Sequence, residues 1–326
     1  MRRRHLAAML AALAAPQTVR AQQAKVPVIG YLGSGTAGQF ERRLAAFHQG
    51  LRTTGFEPGR NVAIEYRWAD GHNDRLPALA ADLVRQGVNL IAAPGNLGST
   101  LAAQRATTAI PIVFEIGTDP VAFGLVASLS RPGGNVTGVT SLSNELGAKQ
   151  LELLHELAPA LTDVGFLINP TNPNAGPATP RIRTAAAARG IGLHILHASG
   201  DQDLHSVVVR LVERMGTAGL VIGADQFFAT RSRELAALTV RLAVPAIHFT
   251  REFPEAGGLL NYGGVFAETH RQAGVYAGRI LKGENPADLA VQQATKFEMV
   301  INLATAKVLR LTVPPALLAR ADEVIE

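Results

Sequence analysis

The chain reads as an α/β protein made of two doubly wound parallel-sheet lobes, and three observations predict this. Short β-branched apolar runs alternate with longer segments of helical period along the chain, which is the pattern of stacked βαβ units. About ten such runs occur, which suits two sheets of about five strands better than one large sheet, each coated by helices on both faces. The 326 residues exceed what one compact core usually organises.

The first strand is expected over 26–32 (VPVIGYL), where Val and Ile crowd a short run ahead of a glycine-rich loop. A helix over 39–55, a strand over 62–68, a helix over 74–86, a strand over 88–93, a helix over 98–108 and a strand over 111–116 follow by the same alternation. A helix over 120–130 and a strand over 136–141 complete the first half. The turn Arg131-Pro132-Gly133-Gly134-Asn135 feeds that strand, and the polar Leu142-Ser143-Asn144 after it marks the break between lobes. The second half repeats the theme: helix 145–157, strand 163–168, helix 176–189, strand 192–198, helix 202–215, strand 219–224, helix 228–241, strands 244–249 and 258–262, and helix 266–282. No fixed-period repeat or low-complexity segment interrupts it.

The opening MRRRHLAAMLAALAAPQTVRAQQA sets three arginines before an apolar run, Leu6 to Ala15, and a short polar stretch ending in Val19-Arg20-Ala21. That order is expected of a secretory signal peptide over 1–21, and the run is far shorter than the roughly 20 residues that cross a bilayer. With no cysteine there is neither a disulfide nor an N-terminal lipid attachment point, so the mature protein is expected to be free in the periplasm. The basic excess, 31 Lys and Arg against 26 Asp and Glu, is carried mostly by Arg2, Arg3, Arg4 and Arg20, which leave with the signal. A nucleic-acid partner loses its main support. No later stretch is long and apolar enough for direct membrane insertion, so membrane contact is expected through a partner protein.

In parallel sheets ligands bind beyond the carboxyl ends of the strands, where loops converge and helix amino termini offer N–H groups. The residues at those ends are polar here: Ser34 and Thr36 after the first strand, Asn96, Ser99 and Thr100 after the third, Thr118 and Asp119 after the fourth, and Ser141 with Ser143 after the fifth. The second half adds Asn169 to Asn174, with Asn172 among them, then Asp225-Gln226, Thr250-Arg251-Glu252 and Tyr262. Such hydroxyls, amides and charges suit a small polar ligand, yet each is equally at home as a helix N-cap or turn former. Asn96, beside Gly95, and Asp225 stand directly at strand ends. Asp225 is expected to pair with a ligand ammonium and the first-half hydroxyls and amides with a carboxylate; Asp225→Ala is then expected to leave the unliganded fold intact. Phe227, Phe228, Phe249, Phe253 and Tyr262 either wall the ligand or fill the second core.

Gly33-Ser34-Gly35-Thr36-Ala37-Gly38 matches G-x-G-x-x-G between a strand and a helix, but an acidic residue at the end of the next strand comes late, at Asp70. No cofactor is therefore expected. The nine histidines are scattered, thiol catalysis is excluded by composition, and no serine stands in a recognisable relation to a histidine and a carboxylate. Neither metal nor enzymatic activity is expected.

The segments IPIVFEIGTDPVAFGLVASLSRPGGNVTGVTS (110–141), VPVIGYL with AFHQGLRTTGFEPGRNVAIEYRWADG (46–71), and the ending LTVPPALLARADEVIE carry a resemblance across essentially the whole mature chain. The sequence resembles the ABC transporter substrate-binding protein family, TrpX-like, of the type I periplasmic binding protein fold. The resemblance implies two lobes joined by three crossovers, hinge closure over a small-molecule ligand in the interlobe cleft, and an ABC permease with its ATPase as partners. It implies a first lobe of 22–142 with a return segment of 264–295, and a second of 143–263 with the tail 296–326. An amino acid or aromatic acid is the expected solute. A ligand-binding sensor partner of a signalling receptor is the alternative; a periplasmic enzyme would need a catalytic constellation that the sequence does not display.

Overall fold

The structure is a computed structural model and describes residues 26–142, 146–216 and 218–326. The expected signal peptide, and Ser143 and Asn144 of the expected connector, lie outside the described residues.

The chain begins with β1 (Val28–Gly33), α1 (Glu41–Thr53), β2 (Ala63–Trp68), α2 (Leu76–Arg85), β3 (Leu90–Pro94), α3 (Leu97–Ala106), β4 (Ile112–Ile116) and β5 (Val136–Thr140). It continues with α4 (Gly147–Leu157), β6 (Asp163–Ile168), α5 (Ala175–Ala187), β7 (Gly192–His197), α6 (Asp201–Met215), β8 (Ala218–Ile222), α7 (Gln226–Ala229), α8 (Ser232–Arg241) and β9 (Ala246–His248). Last come α9 (Glu252–Glu255), β10 (Leu260–Gly264), α10 (Phe266–Leu281), β11 (Gln292–Gln293), β12 (Phe297–Asn302), α11 (Leu303–Val308), α12 (Pro315–Leu318) and β13 (Glu323–Ile325).

Two sheets result, with orders β11-β5-β4-β3-β1-β2 and β13-β12-β10-β9-β8-β6-β7. All pairings are parallel except β10 with β12. Central β3 and β4 are buried at every position, because helices cover both faces and leave no side that tolerates a polar alternation. The chain passes between sheets three times: from β5 into α4, from β10 into α10, and from β11 into β12. Each sheet has apolar clusters on its two sides, so each lobe carries its own core.

Two expected elements differ. Residues 120–130 form turns instead of a helix: Asp119 Oδ1 accepts the Val121 N–H at 2.9 Å, and Gly124 takes a left-handed φ of 66° that a continuing helix forbids. The segment still anchors itself by burying Leu125 and Val126. The helix expected over 228–241 divides into α7 and α8 at Thr230-Arg231. Beyond 282, where the sequence reading names no element, β12 is held by antiparallel pairing with β10, Tyr262 lying opposite Met299.

The crossover helix α10 packs on α1 at unusually close range, through glycines. A Cβ at Gly274 would lie 2.1 Å from the Phe47 carbonyl oxygen, and one at Gly50 would lie 1.9 Å from that of Arg271. Main chain thus meets main chain, and neither helix can retreat without opening the core around Phe47, Leu51, Ala273 and Ala277. Gly274→Ala is expected to lower unfolding stability by about 1–3 kcal/mol through overpacking. Gly176→Ala, at a helical position with nothing within 4 Å, is expected to be neutral or slightly stabilising. Urea denaturation of both variants checks this, and equal stability of the two would show that the close contact is not needed.

Candidate ligand-binding site

The carboxyl ends of the strands of both sheets face one another across a cleft. It holds a cavity of about 30 Å³. The first lobe contributes Gly95, Asn96, Leu97, Glu115 and Gly117; the second contributes Asn172, Asn174, Ala224, Asp225, Gln226 and Phe249, and Phe266 enters at the first turn of α10. A second, narrower hollow of about 20 Å³ shares Asn172, Asn174, Ala224 and Asp225 with the first and runs into the second lobe over Phe166, Ile168, Ala175, Ala178 and Phe228. The cleft therefore has a polar end between the lobes and an apolar slot behind the asparagines.

In the second lobe the polar groups hold one another. Asp225 caps α7, its Oδ1 accepting the Phe227 N–H at 2.7 Å and the Asn169 amide at 3.1 Å, while Oδ2 accepts the Asn172 amide at 2.5 Å. Burial pushes the Asp225 carboxyl above its ordinary range, and these donors pull it back. Asn172 Oδ1 in turn accepts the Asn174 N–H at 2.9 Å, leaving buried Asn174 Oδ1 without a partner.

The first lobe presents the opposite situation. Glu115, the fourth residue of β4, is 1% exposed, and neither of its carboxylate oxygens has a hydrogen-bond partner. Its nearest donors are engaged elsewhere: Thr269 Oγ1 donates to the Phe266 carbonyl at 3.1 Å, and Gly95 N–H to the main-chain carbonyl of Glu115 itself at 2.7 Å. His270 Nδ1 lies 3.6 Å from Glu115 Oε2 but bonds the Phe266 carbonyl at 2.9 Å, which places its proton on Nδ1 and leaves Nε2 a bare acceptor. Burial and the nearby Arg43 charge push His270 down to about 3, so it is neutral. Burial raises the Glu115 carboxyl to about 7, against the pull of Arg43 and of the nearby Thr269 hydroxyl and Gly95 N–H, neither of which reaches its oxygens in good hydrogen-bond geometry.

Arg43 sits at the lobe boundary, its guanidinium over the rings of Phe40 (5.2 Å) and Phe266 (4.7 Å) and 3.4 Å from Glu252 of the other lobe. Arg42 makes a second interlobe pair, 3.0 Å from Glu255.

Of the residues expected from sequence, Asn96, Asn172, Asp225 and Phe249 line the cleft. Thr118 and Asp119 line an adjoining hollow with Asn174 and Arg181. Asn96 is also the N-cap of α3, its side chain accepting the Gly98 N–H. Ser34, Ser99 and Ser141 are buried near the strand ends, and Thr36 is half-buried in the loop after β1, all off the cleft lining. Thr100 Oγ1 is spent on the Ala93 and Asn96 carbonyls, and Tyr262 packs on Phe297 at 5.9 Å against the second core. Of the expected aromatic wall only Phe249 faces the cleft; Phe227, Phe228 and Phe253 belong to the second core, Phe228 also bordering the apolar slot. The sequence reading missed Glu115, Arg43, Phe266 and His270. The signal for Glu115 was present, a lone carboxylate in the otherwise apolar IVFEI.

Two facing α/β lobes, three chain crossings and a cleft lined from both sides define a two-lobed binding protein of the type I periplasmic fold. The chain belongs to the ABC transporter substrate binding protein family, which it matches over residues 40–325. It is similar to a tyrosine-binding protein of Clostridioides difficile, 26% identical over 264 residues that cover 81% of this chain and 75% of that one. A conserved domain protein of Vibrio cholerae superposes with a TM-score of 0.84 at 27% identity, covering 92% of this chain and all of its own. An ABC domain from Streptococcus pneumoniae in complex with L-Trp superposes at 0.83 with 23% identity, covering 92% and 99%.

Two predictions follow from the carboxylates. Because three donors hold Asp225, Asp225→Ala is expected to destabilise the unliganded protein by about 1–3 kcal/mol while leaving it folded; thermal unfolding without ligand measures it, and an unchanged midpoint would show that the network carries no weight. Glu115, whose folded pKa is raised, binds a proton in the folded protein over pH 4.5–7 that the unfolded chain has released. Its stabilising contribution is complete below about pH 4.5 and is lost as pH rises through about 7. Relative to Glu115→Gln, the wild type is therefore expected to lose about 3 kcal/mol over that window; parallel stability profiles for the two proteins would contradict it.

Proposed function

We propose that this protein captures a small amphipathic solute, an aromatic amino acid, in the interlobe cleft and delivers it to an ABC permease driven by its ATPase. The observation that carries this reading is the lining of the cleft, polar where the lobes meet and apolar behind the asparagines, a chemistry that suits a charged head on a flat ring once the lobes part to admit it. The tyrosine-binding relative and the L-Trp complex point to the same solute class. The proposed place of action is the periplasm, in keeping with the arginine-led apolar segment at the start of the chain. Among the described residues no helix is long and apolar enough to cross a membrane, so contact with the permease would be through protein surfaces. The proposed hinges are the three crossings, between β5 and α4, between β10 and α10 and between β11 and β12, with 22–142 and 264–295 moving against the remainder.

A thermal-shift screen of the purified protein against L-tryptophan, L-tyrosine, L-phenylalanine, sugars and nucleosides tests this. An aromatic amino acid at 100 times its dissociation constant is expected to add about 2.7 kcal/mol and to be recovered unchanged. Stabilisation by sugars or nucleosides alone would replace the solute class, and chemical conversion of the bound compound would replace the binding role.

A further inference from the structure

We infer that Glu115, with the side-chain oxygen of Asn174 across the cleft, forms a subsite in the first lobe that takes the solute's primary ammonium group. This rests on the binding role proposed above and assigns the charge recognition to the opposite lobe from the one that the strand-end residues suggest.

Two carboxylates border the cleft, and only one has capacity to spare. Asp225 already accepts from Phe227, Asn169 and Asn172. Glu115 accepts from no group, although it is 1% exposed. Both Glu115 oxygens and Asn174 Oδ1 are unpartnered acceptors, and the residues that bear them line the same cavity from opposite lobes. His270 Nε2 is a third kind of acceptor left bare behind Glu115. Native structures seldom leave such groups buried without donors. A primary ammonium brings three donors and no acceptor, which is the complement of this set.

The charges agree. With Glu115 and Glu252 ionised, Arg43 leaves one net negative charge at the lobe boundary, Asp225 across the cleft adds a second when ionised, and His270 and His248 are neutral, each pushed down to about 3 by burial. Tyr31, the other titratable group close to Glu115, has a hydroxyl pushed well above its ordinary range and stays neutral too. A solute ammonium placed beside Glu115 offsets part of that negative charge. Because burial keeps much of Glu115 protonated at pH 7 and below, an ammonium has to displace that proton.

Calorimetric titrations with L-tryptophan, L-tyrosine and indole-3-propionate, on the wild type and Glu115→Gln, test the assignment. The wild type is expected to bind the amino acids at least tenfold more tightly than the propionate, which lacks the ammonium, and Glu115→Gln to remove that preference. Wild-type affinity for the amino acids is expected to weaken by up to tenfold per unit as pH falls below about 7, with proton release visible as a dependence of the heat on the buffer. The buffer dependence needs no variant and so survives a poorly folding substitution. Equal affinity for L-tryptophan and indole-3-propionate, an unchanged affinity in Glu115→Gln, or heats independent of buffer at pH 6 would overturn this subsite while leaving the cleft reading intact. No binding of any of the three compounds to the wild type would overturn both.

Discussion

The contact between α10 and α1 is the constraint from which the cleft's geometry descends. α10 leaves the second sheet at β10 and must reach the first, and glycines at 50 and 274 let its main chain lie directly on that of α1. With the helix pinned there, its first turn falls at the lobe boundary. Phe266 reaches the cleft and stacks on Arg43, while Thr269 and His270 close over Glu115 from the side. A larger spacing between the two helices would expose Glu115 to water and remove the reason for its raised pKa. One close helix pair therefore sets both the crossing between lobes and the electrostatic character of the site.

The two buried carboxylates show how the same residue type serves opposite ends. Burial raises both, but Asp225 is met by three donors and becomes part of the scaffold that orders the loops after β6 and β8. Glu115 has only the Thr269 hydroxyl and Gly95 N–H nearby, both turned to main-chain carbonyls, and an unsatisfied buried polar group costs about 1–3 kcal/mol, more if charged. A protein with 326 residues can bear that cost, but has no structural reason to, since an apolar residue would fill the middle of β4 better. The cost is recovered only if something else brings donors, which is why the unmet group and not the well-bonded one marks the recognition site.

Most of the strand and helix order was legible because parallel sheets write it plainly: β3 and β8 are unbroken apolar runs bounded by turn residues, β4 is one but for Glu115, and α6 and α10 carry apolar residues at helical spacing. Residues 120–130 were misread because their apolar content serves a turn that buries Leu125 and Val126, and the deciding signals, Asp119 before Pro120 and a left-handed Gly124, are single residues. β12 owes its place to pairing with β10, an interaction between distant segments that local pattern does not carry. The site was half legible. Looking just past each strand finds Asn96, Asn172 and Asp225, but their side chains also cap helices or brace loops, a use that the sequence offers as an alternative without deciding which residue takes it. Glu115 lies inside its strand instead of after it, so a rule about strand ends passes over it.

In the proposed role the lobes must part to admit a solute and close to hold it, and the interlobe contacts bear on how that equilibrium is set. Arg42 with Glu255 is an ion pair on the cleft's rim, and exposed pairs of this kind contribute about 0–1 kcal/mol each. Arg43 is buried, but its Nε has no partner and its contact with Glu252 is long at 3.4 Å. Neither pair suffices to hold the cleft shut alone, since moving a two-state equilibrium from mostly open to mostly closed takes about 5.5 kcal/mol. The remainder has to come from contacts that a solute makes only when both lobes reach it. Glu115 and Asn174 line the cavity from opposite lobes with unpartnered oxygens, so in the proposed subsite the acceptors that are a cost to the empty protein would become the differential contact that favours closure once a solute is present.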